Sequence, residues 1–163
     1  MKTLKITHPL WQVLGIGALA GMRSSSAPVI ASHILSRHQN TQLGNSSLKF
    51  MQSNKVSNSL KAMAISELIV DKLPSTPNRT KASGLIGRGL SGALAGASIY
   101  KATGGNPTLG AMLGGAAAIA STFGSFYFRK GAVKKTGIYD PIIGAIEDIL
   151  VIGAGVALVK IDD

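Results

Sequence analysis

The chain predicts an all-α fold, a polytopic transmembrane bundle of about five apolar helices, and three observations carry that prediction. The stretch 102–128 holds no Lys, Arg, Asp or Glu, and a bilayer core asks for roughly 20 mainly apolar helical residues. It is closed by Arg129, Lys130, Lys134 and Lys135, the basic flank of a cytoplasmic boundary. Small residues recur every four positions, at Gly92 and Gly96 and again at Gly110, Gly114, Ala118 and Thr122. That spacing lets helix backbones approach closely where lipid removes the hydrophobic drive between helices.

The elements follow in order. A first helix is expected over 9–35, kinked at Pro28, where the ring frees a backbone carbonyl. A polar linker, 36–59, is rich in Ser, Asn and Gln and carries no acid. The second helix, 60–73, is short for a full crossing and is stopped by Pro74 and Pro77. A third covers 83–103, and Gly104-Gly105-Asn106-Pro107 turns the chain into a fourth at 108–129. The fifth runs over 140–160. Basic residues put the N-terminus, the loop with Lys72, Arg79 and Lys81, and the loop 129–135 on one side, expected to be cytoplasmic. Trp11 is expected at the membrane interface.

Composition sets limits on these assignments. At 163 residues the chain makes one integral membrane domain, 1–163, with no room for a second. Hydrophobic residues make up 45% and mean hydropathy is +0.28, a value that soluble proteins also reach; charges within the apolar segments explain it. The net charge of +10 lies mostly between those segments, which fits positive-inside topology and argues against a nucleic-acid partner. The absence of cysteine excludes disulfides, thiolate catalysis and Cys-ligated metals. Lys2 and Lys5 ahead of an apolar run resemble a secretory signal, but apolar character resumes beyond Arg23 and the serines, so no cleavage is expected. His8, His33 and His38 lack ligand spacing, and no nucleophile elbow or phosphate loop occurs. Neither an enzyme, a metal site nor a cofactor is expected.

The internal charges are the functional candidates: Arg23, Glu67, Asp71, Lys72, Arg88, Glu147 and Asp148, with Ser24, Ser25 and Asp140 beside them. Leaving a charge unpaired in hydrocarbon costs several kcal/mol even on the gentler insertion scales, so such groups pair, face water or become neutral. Glu67 and Asp71 fall one turn apart on one helical face, whereas the adjacent Glu147 and Asp148 point about 100° apart. Arg23 and Arg88 are the expected partners of Glu67 and Glu147. The segments 64–68 and 144–148 look like versions of one element. They hint at an inverted repeat of the first two and last two helices, an arrangement found in transporters.

Several runs, taken in order, resemble a known family. They are Ala20-Gly-Met-Arg23-Ser, Glu67-Leu-Ile-Val-Asp71-Lys72-Leu-Pro74, Arg88-Gly-Leu-Ser-Gly-Ala-Leu-Ala-Gly96, Leu113-Gly-Gly-Ala-Ala-Ala-Ile-Ala-Ser121 and Asp140-Pro-Ile-Ile-Gly-Ala-Ile-Glu147-Asp148. Together they resemble the domain-of-unknown-function 4126 family of small bacterial multi-pass membrane proteins. The resemblance implies a protein of the bacterial inner membrane and matches the charged positions above to those of the family, without supplying an activity. Thr122-Phe-Gly-Ser125 stands where the resemblance leads one to expect a histidine in many relatives, so no histidine relay is expected there.

The leading expectation is translocation of an ion or small solute, with Glu67 and Glu147 as proton or cation sites and Arg23 and Arg88 as counter-charges. The alternative is a membrane scaffold or accessory subunit whose buried charges are structural. The expected partners are the lipid bilayer, an ion or small solute, and a second copy of the chain docked as a dimer through glycine faces.

Overall fold

The computed structural model describes residues 8–38, 40–70, 82–136 and 140–161, and all regular structure among them is helical. In order come α1 (Pro9–Met22), α2 (Ser26–Arg37), α3 (Thr41–Gly44), a 3₁₀ turn (Ser47–Gln52), α4 (Asn54–Val70), α5 (Ala82–Ala102), α6 (Pro107–Thr136) and α7 (Asp140–Ile161).

The expected first helix is two helices, and the break falls at Arg23–Ser25 rather than at Pro28. Pro28 explains the shift. In a continuous helix its ring would clash with the carbonyl of Ser24, and that carbonyl would lack a donor. The chain turns upstream instead, Ser24 O accepts a hydrogen bond from Ser91 Oγ, and Pro28 falls in the first turn of α2, where its missing N–H costs nothing. Ser26 Oγ reinforces the turn by donating to Arg23 O at 2.7 Å, a local bond that competes with helix.

α1 and α2 are the two limbs of a hairpin. On α5, Val13 of α1 packs against Gly96, and Asn40, just past α2, donates to Ala102 O at 2.6 Å, while the tip lies at Ser91. Ala102 and Ser91 are about 16 Å apart along a helix rising 1.5 Å per residue. On α6 the tip is level with Thr122, whose hydroxyl donates to Gly21 O at 3.2 Å and to Ala118 O at 2.8 Å. That level is about 22 Å from Pro107, and α6 continues for about 21 Å beyond it. The hairpin enters the bundle and returns. The start of α1 therefore lies at the same end as the 103–106 turn, opposite the end where α6 finishes and α5 begins. The expectation put the N-terminus and the basic end of α6 on one side; the start of α1 and Lys130 instead lie at opposite ends, and residues 1–7 and 71–81 lie outside the described residues.

α1, α5 and α6 form the tight centre. A Cβ on Gly17 would stand 2.6 Å from Gly114 O, and one on Gly92 would stand 2.8 Å from the Ala118 Cβ, too close for any side chain larger than hydrogen. Gly96 and Gly110 face each other in the same seam. The glycine faces expected to carry a dimer are thus buried within one chain. The α5–α6 connection closes with Gly105 N–H donating to Tyr100 O at 2.8 Å and with Gly104 at φ 79°, a C-terminal cap that needs glycine. Asn106 Oδ1 then caps α6 by accepting from Thr108 N–H at 2.9 Å.

The remaining boundaries move modestly. α4 begins at Asn54 rather than Leu60, and the expected polar linker is packed: it contains α3 and the 3₁₀ turn, with Leu43 and Met51 fully buried. Pro107–Lys134 and Ile142–Lys160 are long and apolar enough to cross a membrane, whereas α1 is shorter. Among the described residues these two helices are the candidate spans. The two halves do not share the one shape that an inverted repeat requires. The first is a hairpin followed by a single helix, and the second is two long helices.

The core is a hydrophobic cluster that includes Val13, Ile16, Ile34, Leu35 and Ile99. Arg23, Ser26, Ser32, Arg88, Ser98, Thr122 and Glu147 are buried as well, while Met112, Phe128 and Ile149 are 68%, 71% and 70% exposed. Large apolar side chains on the outer faces of α6 and α7 mark surface for a membrane or a partner.

Candidate functional site

The hairpin tip gathers the charged residues. Arg23 closes α1 in an extended conformation (φ −145°, ψ 119°), its N–H still bonded to Leu19 O. The side chain forms an ion pair, through Nη2, with Asp148 Oδ1 of α7, both groups largely buried. Ser25 is the N-cap residue of α2, yet its side chain does not cap the helix. Glu67 of α4 does so in its place: Oε2 accepts from Ser25 N–H at 3.2 Å and Oε1 from Ser24 Oγ at 2.6 Å. A carboxylate at a helix N-terminus is favoured by the orphan N–H groups and by the dipole.

Glu147 and Asp148 diverge as adjacent helical positions must. Asp148 meets Arg23, while Glu147 Oε2 lies 3.7 Å from Arg129 Nη1 of α6. Gly144 makes room for this second pair, since a Cβ there would come within 3.2 Å of the Arg129 guanidinium. Arg88 is buried on α5, one turn from Ser91.

The structure thus brings Arg23, Ser24, Ser25, Glu67 and Asp148 into contact at the tip, with Arg88 and Glu147 within the same bundle. Asp71 and Lys72 lie outside the described residues, and only the backbone of Asp140 is described, at the start of α7. The expected pairing of Glu67 with an arginine is replaced by bonds from serine and backbone. Among the acidic side chains described, Glu67 is held by neutral donors alone, whereas Glu147 and Asp148 are in ion pairs.

Two contributors were not singled out by sequence. Arg129 reads as part of the basic flank, and nothing local distinguishes it from Lys130. Ser91 lies in a small-residue run, and its spacing of three from Arg88, which places both on one helical face, is the signal that could have found it.

Above the tip, a cavity of about 440 Å³ opens between α2, α4 and α7. Arg23, Ser25 and Ser26 form its inner end, and Ser25 Oγ is buried there with no hydrogen bond among the described residues. A polar group so placed is open to a ligand or water.

Comparison with curated proteins and with solved structures gives no match. A family model does match, over residues 10–161, nearly the whole chain. The chain belongs to the family described as domain of unknown function DUF4126.

Proposed function

We propose that this is an integral protein of the bacterial inner membrane that translocates a proton or small cation, with Glu67 as the carboxylate that binds and releases it. The carrying observation is the re-entrant hairpin whose unwound tip, Arg23–Ser25, meets Glu67 beside a buried Arg23–Asp148 pair. Non-helical backbone at membrane depth is tolerated where it is buried in protein or lines a cavity, and broken helices of this kind supply ion sites in transporters. Glu67 suits the task because Ser24 Oγ can donate to a carboxylate or accept from a carboxylic acid, so neither state loses its partner. Asp148, Glu147 and their arginines supply fixed charge around it.

Membrane residence is supported by the two long apolar helices and by the large apolar side chains exposed on them. The run Arg129, Lys130, Lys134 and Lys135 favours a cytoplasmic C-terminal end for α6. The chain start then faces the other side.

The test is charge movement in proteoliposomes under pH steps and a panel of cation gradients. A transient or steady current in the wild type that disappears in Glu67→Gln supports the reading, and no current under any gradient overturns it. A second reading is favoured by the ion pairs themselves: Arg23–Asp148 and Arg129–Glu147 are arranged as structural fasteners would be. A scaffold of that kind shows no current and loses only stability when the pairs are broken.

A further inference from the structure

We propose that the cavity between α2, α4 and α7 is a binding site for an anionic phospholipid. α2 and α7 run side by side in parallel. Arg23 pairs with Asp148, and seven residues further along each helix Ile30 packs on Gly155. Arg37, the last residue of α2, and Lys160, near the end of α7, both line the cavity at its end farthest from the tip. Lys61 enters the same cavity from α4. Three cationic side chains from three helices therefore line the cavity, Arg37 and Lys160 at the mouth and Lys61 deeper on α4, with His33 among them. No Asp or Glu is among the described residues that line the cavity.

Below the mouth the walls are apolar, built from Val29 and Ile30 on one side and Val151, Val156 and Val159 on the other. Ile152 and Val156 line the cavity and are also about half exposed on the outer face of α7. The slot therefore opens sideways, where acyl chains lie if α7 crosses a bilayer. A phosphate head at Arg37, Lys61 and Lys160 with a chain along the valines matches this division. Basic pockets between membrane helices recognise anionic head groups in this way. A soluble anion would leave the apolar walls uncovered, which is why a lipid is the occupant chosen. At about 440 Å³ the slot holds the head region and the upper part of a chain, on the scale of ordinary ligand pockets.

This inference rests on the membrane reading but not on translocation. The full chain, extracted in a mild neutral detergent, is titrated with phosphatidylglycerol or phosphatidylcholine, and bound lipid is counted by native mass spectrometry. The expected result is preferential retention of phosphatidylglycerol, reduced about thirtyfold in Lys61→Gln/Lys160→Gln, the scale of two interfacial lysines. Val156→Trp, which fills the slot and leaves the cations, is expected to reduce retention as well. Glycerol phosphate at millimolar concentration is expected not to displace the lipid. Equal retention of both lipids, a preference unchanged by the lysine variant, or displacement by glycerol phosphate overturns the proposal. Release of the chain from membranes by alkaline carbonate without detergent would instead overturn the membrane reading beneath it.

Discussion

Glu67 caps a helix to which it does not belong: its carboxylate accepts from Ser24 Oγ at 2.6 Å and from Ser25 N–H at 3.2 Å, at the head of α2. The two roles of this carboxylate, cap and ion site, separate under substitution. Glu67→Gln keeps an amide oxygen for the cap, so its thermal midpoint in detergent is expected near the wild type while charge movement is lost. Glu67→Ala removes the cap and is expected to cost about 1 kcal/mol, as N-cap deletions do. If Glu67→Gln carries the wild-type current, Glu67 is a cap only.

The Arg23–Asp148 pair is buried on both sides, so removing one partner leaves a charge in an apolar bundle. Asp148→Asn is expected to destabilise by about 3 kcal/mol, the scale of a broken buried pair. Arg23→Gln/Asp148→Asn is expected to cost less than the sum of the two single changes, because the double variant leaves neither charge stranded. Thermal or denaturant unfolding in one detergent measures all three. Additive costs would show that the two side chains do not depend on one another.

Glycines of two kinds give opposite expectations. Gly17, Gly92 and Gly114 stand where a Cβ would strike a neighbouring backbone or Ala118. Gly92→Val is expected to destabilise the α5–α6 seam by at least about 1–3 kcal/mol, as overpacking does. Gly124 and Gly153 have nothing within 4 Å, and Ala at either is expected to be neutral or to stabilise by about 0.5–1 kcal/mol through helix propensity. Unfolding midpoints of Gly92→Val and Gly153→Ala make the comparison. Equal effects would show that the glycine seam is not tightly packed.

The long helices, the 103–106 turn and the glycine seams were legible in the sequence because each depends on local spacing. The burial of Arg23, Arg88 and Glu147 was legible too, since charges in apolar segments must turn inward. Their partners were not. Whether Glu67 meets an arginine or a serine depends on where the chain folds back, and that was misplaced. Pro28 reads as a kink in a single helix, whereas its effect lies four residues upstream, on the carbonyl of Ser24. Once α1 and α2 become a hairpin, the single first helix over 9–35 and the order in which the helix ends meet change with it.

The hairpin itself is open to a direct test, because the chain has no cysteine of its own. Single substitutions Leu10→Cys, Asn45→Cys and Thr103→Cys lie at one end of the bundle, and Lys130→Cys lies beyond the tip at the other. Labelling by a membrane-impermeant maleimide in sealed right-side-out and inverted vesicles should give one pattern for the first three and the opposite pattern for Lys130→Cys. A continuous helix over 9–35 that crossed the bilayer would place position 45 opposite position 10. Opposite labelling of Leu10→Cys and Asn45→Cys would therefore remove the re-entrant tip from membrane depth, and with it the geometry that brings Ser24, Ser25 and Glu67 together as an ion site.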